Sequence, residues 1–173
     1  MKGGRLFSMR GGIMGADEYR VMNVPRVSVF QSANQAVATG TISNIPWDTV
    51  EYDTDSMWTS TGGGFWLTAN TPGLYLVHGW GVWAFNATSY REMIIYKWLA
   101  GVGTAGPICT HGVVEPSAVT ITAPSVTAYV PLNKGDQVTL AVSHNIGGNL
   151  NFNGASATVR ENGFQACLVS TLG

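Results

Sequence analysis

From Pro25 onward, short runs of β-branched and aromatic residues are cut by Gly, Asn, Pro and Thr every ~8–12 residues. That punctuation leaves no room for a helix of three turns. The nearest helical candidate, Tyr90–Leu99, holds Ile94-Ile95-Tyr96 and Trp98, which suit a strand better. No repeat of fixed period runs through the chain. The pattern predicts an all-β sandwich or barrel of strands joined by tight turns.

Within the runs, period-two alternation assigns faces. Arg26–Phe30 sets Val27 and Val29 on one side. The longest run, Leu74–Trp83, sets Leu74, Leu76, His78, Trp80 and Val82 against Tyr75, Val77, Gly79, Gly81 and Trp83. Both faces are apolar, so this strand is expected to be covered on both sides, one by the core and one by core or a neighbouring subunit. Further strands are expected at Glu92–Leu99, within Val119–Pro131, at Gln137–Val142, and at Gln165–Leu172 with Ala166, Leu168 and Ser170 inward.

The 173 residues suffice for one domain, and charged residues make up only 11% of them. Such a surface is either solvated by Thr, Ser, Asn and Gly or covered by other subunits. The charge is also unevenly placed. Residues 1–26 carry five basic groups (Lys2, Arg5, Arg10, Arg20, Arg26) against Asp17 and Glu18, a net of +3, while the remainder carries −4. Residues 1–24 are Gly-rich without apolar period and read as a basic arm, leaving 25–173 as the folded domain. Met1, Met9 and Met14 are alternative starts within that arm. Leu6-Phe7 is its only apolar step before Arg10, which does not make a signal peptide. No segment reaches the ~20 apolar residues of a spanning helix. The net charge of −1 and the lack of a dense Lys/Arg block argue against nucleic acid and membrane partners.

Catalytic constellations are missing. There is no Gly-x-Ser-x-Gly elbow, and His78, His111 and His144 lie far apart. His78, mid-strand among apolar neighbours, reads as a satisfied core histidine. Asp48, Glu51, Asp53 and Asp55 form one local acidic run, a solvated loop in preference to a calcium site, with Asp53 and Asp55 as weak calcium candidates. Cys109 and Cys167 stand 58 positions apart without metal spacing and are read as buried or half-buried thiols in preference to a bridge. No cofactor is expected. Of the six tryptophans, Trp66, Trp80 and Trp83 are assigned to strands and to core or subunit packing, together with Tyr75 and Phe164. Trp47, Trp58 and Trp98 flank loops and are freer. If the chain binds a sugar, Trp58 beside Gly62-Gly63-Gly64, and Asn149 in the Asn145–Asn153 loop, are the places to look. The Asn86-Ala87-Thr88 sequon is read as chance.

Four segments then occur in a telling order: Ile45-Pro46-Trp47 through Asp53, Phe65-Trp66 through Pro72-Gly73-Leu74-Tyr75, Val130-Pro131-Leu132-Asn133-Lys134-Gly135-Asp136-Gln137-Val138-Thr139-Leu140, and Asn162-Gly163-Phe164 through Leu168. In order and spacing they resemble the jelly roll of the complement and tumour-necrosis-factor superfamily, in particular the globular head of the first complement component. Tyr52-Asp53-Thr54-Asp55, Pro72–Tyr75 and Ser89-Tyr90-Arg91 further resemble domains that end phage tail fibres or decorate phage heads. The resemblance implies a two-sheet jelly-roll sandwich that forms a homotrimer. No Gly-x-y stalk precedes the domain.

On that resemblance the expected role is a non-enzymatic structural virion protein. It is a homotrimer assembled in the host cytoplasm that decorates and stabilises a phage capsid. Arg5, Arg10, Arg20 and Arg26 anchor it to the major capsid protein lattice. About 25 residues ahead of the domain are too few for a fibre shaft, which favours head over tail. The alternative is a tail-tip module that binds a host surface glycan through loop aromatics. A secreted ligand of the tumour-necrosis-factor type ranks last.

Overall fold

The computed structural model describes residues 24–102, 105–116, 120–154 and 160–171. Twelve strands are built in these segments: β1 (Arg26–Phe30), β2 (Gln35–Val37), β3 (Ser43–Asn44), β4 (Thr49–Asp53), β5 (Leu67–Thr68), β6 (Gly73–Trp80), β7 (Arg91–Trp98), β8 (Ala105–Val114), β9 (Ser125–Leu132), β10 (Gln137–His144), β11 (Leu150–Phe152) and β12 (Gly163–Thr171). One short 3₁₀ turn, Thr61–Gly63, joins them. The protein is all-β.

Two antiparallel sheets face each other. The first has the order β4-β1-β12-β6-β9; the second has β3-β10-β7-β8, with β5 also pairing β10. A two-stranded β11–β2 ribbon closes one end. Neighbours in each sheet are mostly distant in sequence, so the layers are wound around each other as a jelly roll.

The core lies between the sheets. Val27, Val29, Tyr75, Val77, Val130, Leu132, Phe164 and Ala166 point inward from the first sheet, against Met93, Ile95, Val138, Leu140 and Val142 of the second. Gly79 belongs to this set for a steric reason. A Cβ there would sit 2.6 Å from Leu140 Cδ1, so the facing strands meet only because the side chain is absent.

The strand alternation read from sequence holds on β6, where residues are alternately buried and half-exposed from Gly73 to Trp80. The pairing ends at Trp80, and Trp83 instead bridges to Thr122 and Phe152. On β12, Ala166 is inward and Leu168 packs against the core, but Ser170 is exposed because the register shifts between Leu168 and Ser170. β8 was not anticipated; its Gly106, Pro107 and Gly112 hide the strand period.

Candidate functional site

The outer face of the first sheet is the most distinctive surface of the molecule. Register places Leu76 of β6 between Tyr129 of β9 and Cys167 of β12. His78 lies between Thr127 and Gln165, and Trp80 between Ser125 and Gly163. Leu74 stands opposite Pro131. Across β12, β6 and β9, no outward position carries a carboxylate, ammonium or guanidinium group. Tyr129 is 66% exposed, more than any other large apolar side chain among the described residues. The indole of Trp80 lies over Gly163, where a Cβ would come within 2.1 Å of the ring, and stacks on His78 at 5.4 Å. Charge gathers on the β1–β4 side of the sheet. Arg26 lies over the Tyr52 ring at 5.4 Å, and Arg160 lies over Phe30 at 4.1 Å while pairing with Glu51 at 3.3 Å.

The residues singled out from sequence separate into groups. Tyr75, Trp83 and Phe164 are fully buried core, whereas Trp80 belongs to the outer face. His78 corrects the sequence reading. It is satisfied, with Nδ1 2.7 Å from Thr127 Oγ1, but it is half-exposed on the outer face. The core histidine is His144, whose Nε2 lies 2.8 Å from Val37 O. Trp47 is also corrected: it is 2% exposed and stacks on Phe164, because the β3–β4 loop folds it into the sandwich. Trp66 precedes β5 and packs edge-on against Trp98 on the outside of the second sheet. Of the arm arginines, Arg26 opens β1; Arg5, Arg10 and Arg20 lie outside the described residues.

Asp53 has a structural task. Its Oδ1 accepts from the amides of Asp55 and Met57, and its Oδ2 from that of Trp58. The carboxylate organises the loop with both oxygens engaged. Asp55 Oδ2 is buried without a partner. Among the described residues, no three metal-ligating side chains gather. Trp58 is half-buried and its indole N–H donates to Gly64 O. Asn149 is exposed in the β10–β11 loop. The two are not neighbours: Trp58 bridges Leu67, which pairs with the start of β10, while Asn149 follows its end.

Both cysteines are free and half-buried. Burial pushes the Cys109 thiol upward despite the nearby Lys97. Three polar devices escaped the sequence reading. Arg91 is fully buried, and its guanidinium donates to the carbonyls of Asn86, Thr88 and Tyr90, fixing the loop before β7. Asn162 ties Gln31 and Asn153 together across the barrel end. Lys97 Nζ meets Asp136 Oδ2 at 2.8 Å beneath the surface. The Gly135-Asp136 turn was legible in sequence; its lysine partner, on another strand, was not.

No family model matches the sequence, and no curated protein is detectably similar to it. Solved structures share the fold. The Eiger TNF of S. frugiperda superimposes with a TM-score of 0.65 at 12% identity, covering 87% of this chain and 96% of that one. The globular domain of zebrafish complement 1qA gives 0.58 at 13% identity over 86% and 99% of the two chains. Murine APRIL gives 0.59 at 10% identity over 84% and 98%. The fold is therefore the jelly roll shared by TNF-like and complement 1q globular domains.

Proposed function

We propose that this chain is a non-enzymatic structural protein, a homotrimer packed through the outer face of its first sheet. The observation that supports this reading is the uncharged face centred on Leu76 and Tyr129. A patch of this kind is unusual on a monomer, and around a three-fold axis its two flanks would meet head-to-tail. Covering ~100 Å² of the Tyr129 ring would stabilise the assembly by about 2.5 kcal/mol per protomer.

The trimer sits on a phage particle as a capsid decoration, held by its N-terminal arm. The support for this placement is in the sequence: the basic arm against an acidic body, and the phage-like segments around Tyr52, Pro72 and Ser89. The arm's attraction to an acidic lattice weakens with salt.

Light scattering tests the assembly, with three times 18.4 kDa expected. Tyr129→Lys and Leu76→Lys should each shift the protein toward monomer. A wild-type monomer, or an unperturbed trimer in both variants, refutes the interface. Particle occupancy tests the placement separately. Deleting residues 1–24 should abolish attachment while the trimer persists, and full occupancy by the truncated protein overturns the anchoring role.

A further inference from the structure

The opposite side of the molecule carries a different kind of surface. On the outer face of the second sheet, Trp98 of β7 stands opposite Gln137 of β10, which in turn faces Thr68 of β5. Two clefts meet at Trp98. One, of about 500 Å³, is lined by Trp98, Leu99, Ala100, Gly101, Gly135 and Gln137, among others. The other, of about 230 Å³, is lined by Ile42, Asn44, Tyr96 and Trp98. The larger falls in the usual ~300–1,000 Å³ range of small-molecule sites.

The lining of both clefts contains no charged residue. Of the charged residues next to the lining in sequence, Lys97 and Asp136 neutralise each other below the surface at 2.8 Å, and Lys134 is exposed to solvent. What the clefts offer is aromatic surface and carboxamides. Trp98 is shared by both, Tyr96 flanks it, and Asn44 and Gln137 stand on either side. Aromatic faces carry partial negative charge and attract the weakly positive C–H faces of a sugar ring. Carboxamides both donate and accept, as the hydroxyls of a sugar require. A charged ligand would be desolvated here without a counter-charge.

The site is also built in advance. Trp66 braces Trp98 at 4.8 Å and 72°. Gln137 Nε2 donates to Thr68 Oγ1 at 3.0 Å, which fixes the amide. The two loops forming the larger cleft are tied together below it, since Asp136 accepts from the amides of both Ala100 and Asn133. Gly101 and Gly135 line it with positive φ (74° and 87°), so the turns narrow without side chains filling the space. Preorganisation of this kind lowers the ordering cost of binding.

We infer that these joined clefts bind a neutral oligosaccharide laid across Trp98. The site is distinct from the trimer face, so failure of either reading leaves the other standing. The full-length protein should be applied to a printed array of neutral and acidic glycans. Calorimetry with cellohexaose, mannohexaose and N-acetylchitohexaose should follow. At least one neutral glycan should bind, with roughly tenfold loss in Trp98→Ala, about 1.4 kcal/mol. Gln137→Ala should weaken it several-fold with an unchanged melting temperature. Trp98→Phe, which keeps an aromatic face, should retain partial binding and serves if the alanine variant misfolds. The inference is overturned if no neutral glycan binds the folded wild type, if only acidic glycans bind, or if Trp98→Phe and Gln137→Ala bind as the wild type does. Fluorescent apolar dye bound at Trp98 in a protein that takes no sugar would mark a protein-docking face instead, and would equally overturn it.

Discussion

Replacing Asp136 by alanine should be among the most damaging single changes in this protein. The residue is 3% exposed and its carboxylate serves three donors. Lys97 Nζ lies at 2.8 Å from Oδ2, the Asn133 amide donates to Oδ2 at 2.9 Å, and the Ala100 amide donates to Oδ1 at 3.0 Å. Alanine strands all three. The ammonium keeps only the Pro131 carbonyl, at 2.6 Å. Removing one partner of a buried pair costs about 3–5 kcal/mol, because the other charge remains desolvated. Lys97→Met is milder, since Asp136 keeps both amides and the methionine stem fills the space; a loss of about 1–3 kcal/mol is expected. The asymmetry between the two variants is the signature of a carboxylate that works mainly as a backbone clamp.

The same geometry fixes a pH dependence. Burial by itself pushes the Asp136 carboxyl upward, but the bond from Lys97, the amides of Ala100 and Asn133 and the lysine charge outweigh it, and the group lies below the ordinary carboxylate range. A carboxyl depressed in the folded state stabilises it at pH above the unfolded value of about 3.9, and that stabilisation is lost as pH falls through the folded value. The gap between wild type and Asp136→Ala should therefore be full at neutral pH and shrink below about pH 4. Guanidinium unfolding at pH 7 and pH 3 measures it, with protein concentration held fixed because assembly would shift the midpoint. A loss under about 1 kcal/mol at pH 7, or a gap that does not change with pH, would refute the reasoning.

Gly79→Ala would drive a Cβ to 2.6 Å from Leu140 Cδ1 and should cost about 1–3 kcal/mol by thermal or chemical unfolding; a neutral result would mean that the two sheets part easily there. Asp53→Ala releases three backbone amides and should also cost about 1–3 kcal/mol, while excess calcium should leave the wild-type melting temperature unmoved. A calcium-dependent rise in melting temperature would return Asp53 and Asp55 to the role of ligands. Tyr75 is pushed up to about 12 by burial and by the nearby Asp55 and Cys167. Its phenol donates to Thr71 O at 2.6 Å. Because the folded value exceeds the unfolded one, the stability it contributes is present below about pH 10 and lost as pH rises toward 12. Ultraviolet titration should show one tyrosine ionising only with unfolding, and Tyr75→Phe should remove that part of the alkaline loss.

How far the sequence was legible depends on the range of the interaction. Alternation along Leu74–Trp80 and Gln137–Val142 is a property of the extended backbone, which points successive side chains to opposite faces whatever lies beyond them. The Gly135-Asp136 turn is equally local, with Gly135 at φ 87°. All-β architecture followed from these alone. The alternation did not say which side of β6 faces the core, since both sides are apolar; only pairing with β9 and β12, and packing against Leu140, puts Tyr75 inside and Leu76 outside. Trp47 looked free because the Phe164 ring that covers it comes from the last strand. No local pattern marks Arg91 as buried, because the carbonyls that satisfy it become acceptors only once their loop folds around it. The Trp98 clefts draw Asn44, Tyr96 and Gln137 from three strands that no local pattern links. Local sequence determined the cleanly alternating strands, the Gly135-Asp136 turn and the scarcity of charge, because these follow from backbone sterics and composition over a few residues; β8 and the short strands lay beyond it. Tertiary structure alone decided which apolar face is buried and which distant side chains share a site, because burial and desolvation are properties of the packed sheets and not of any single strand.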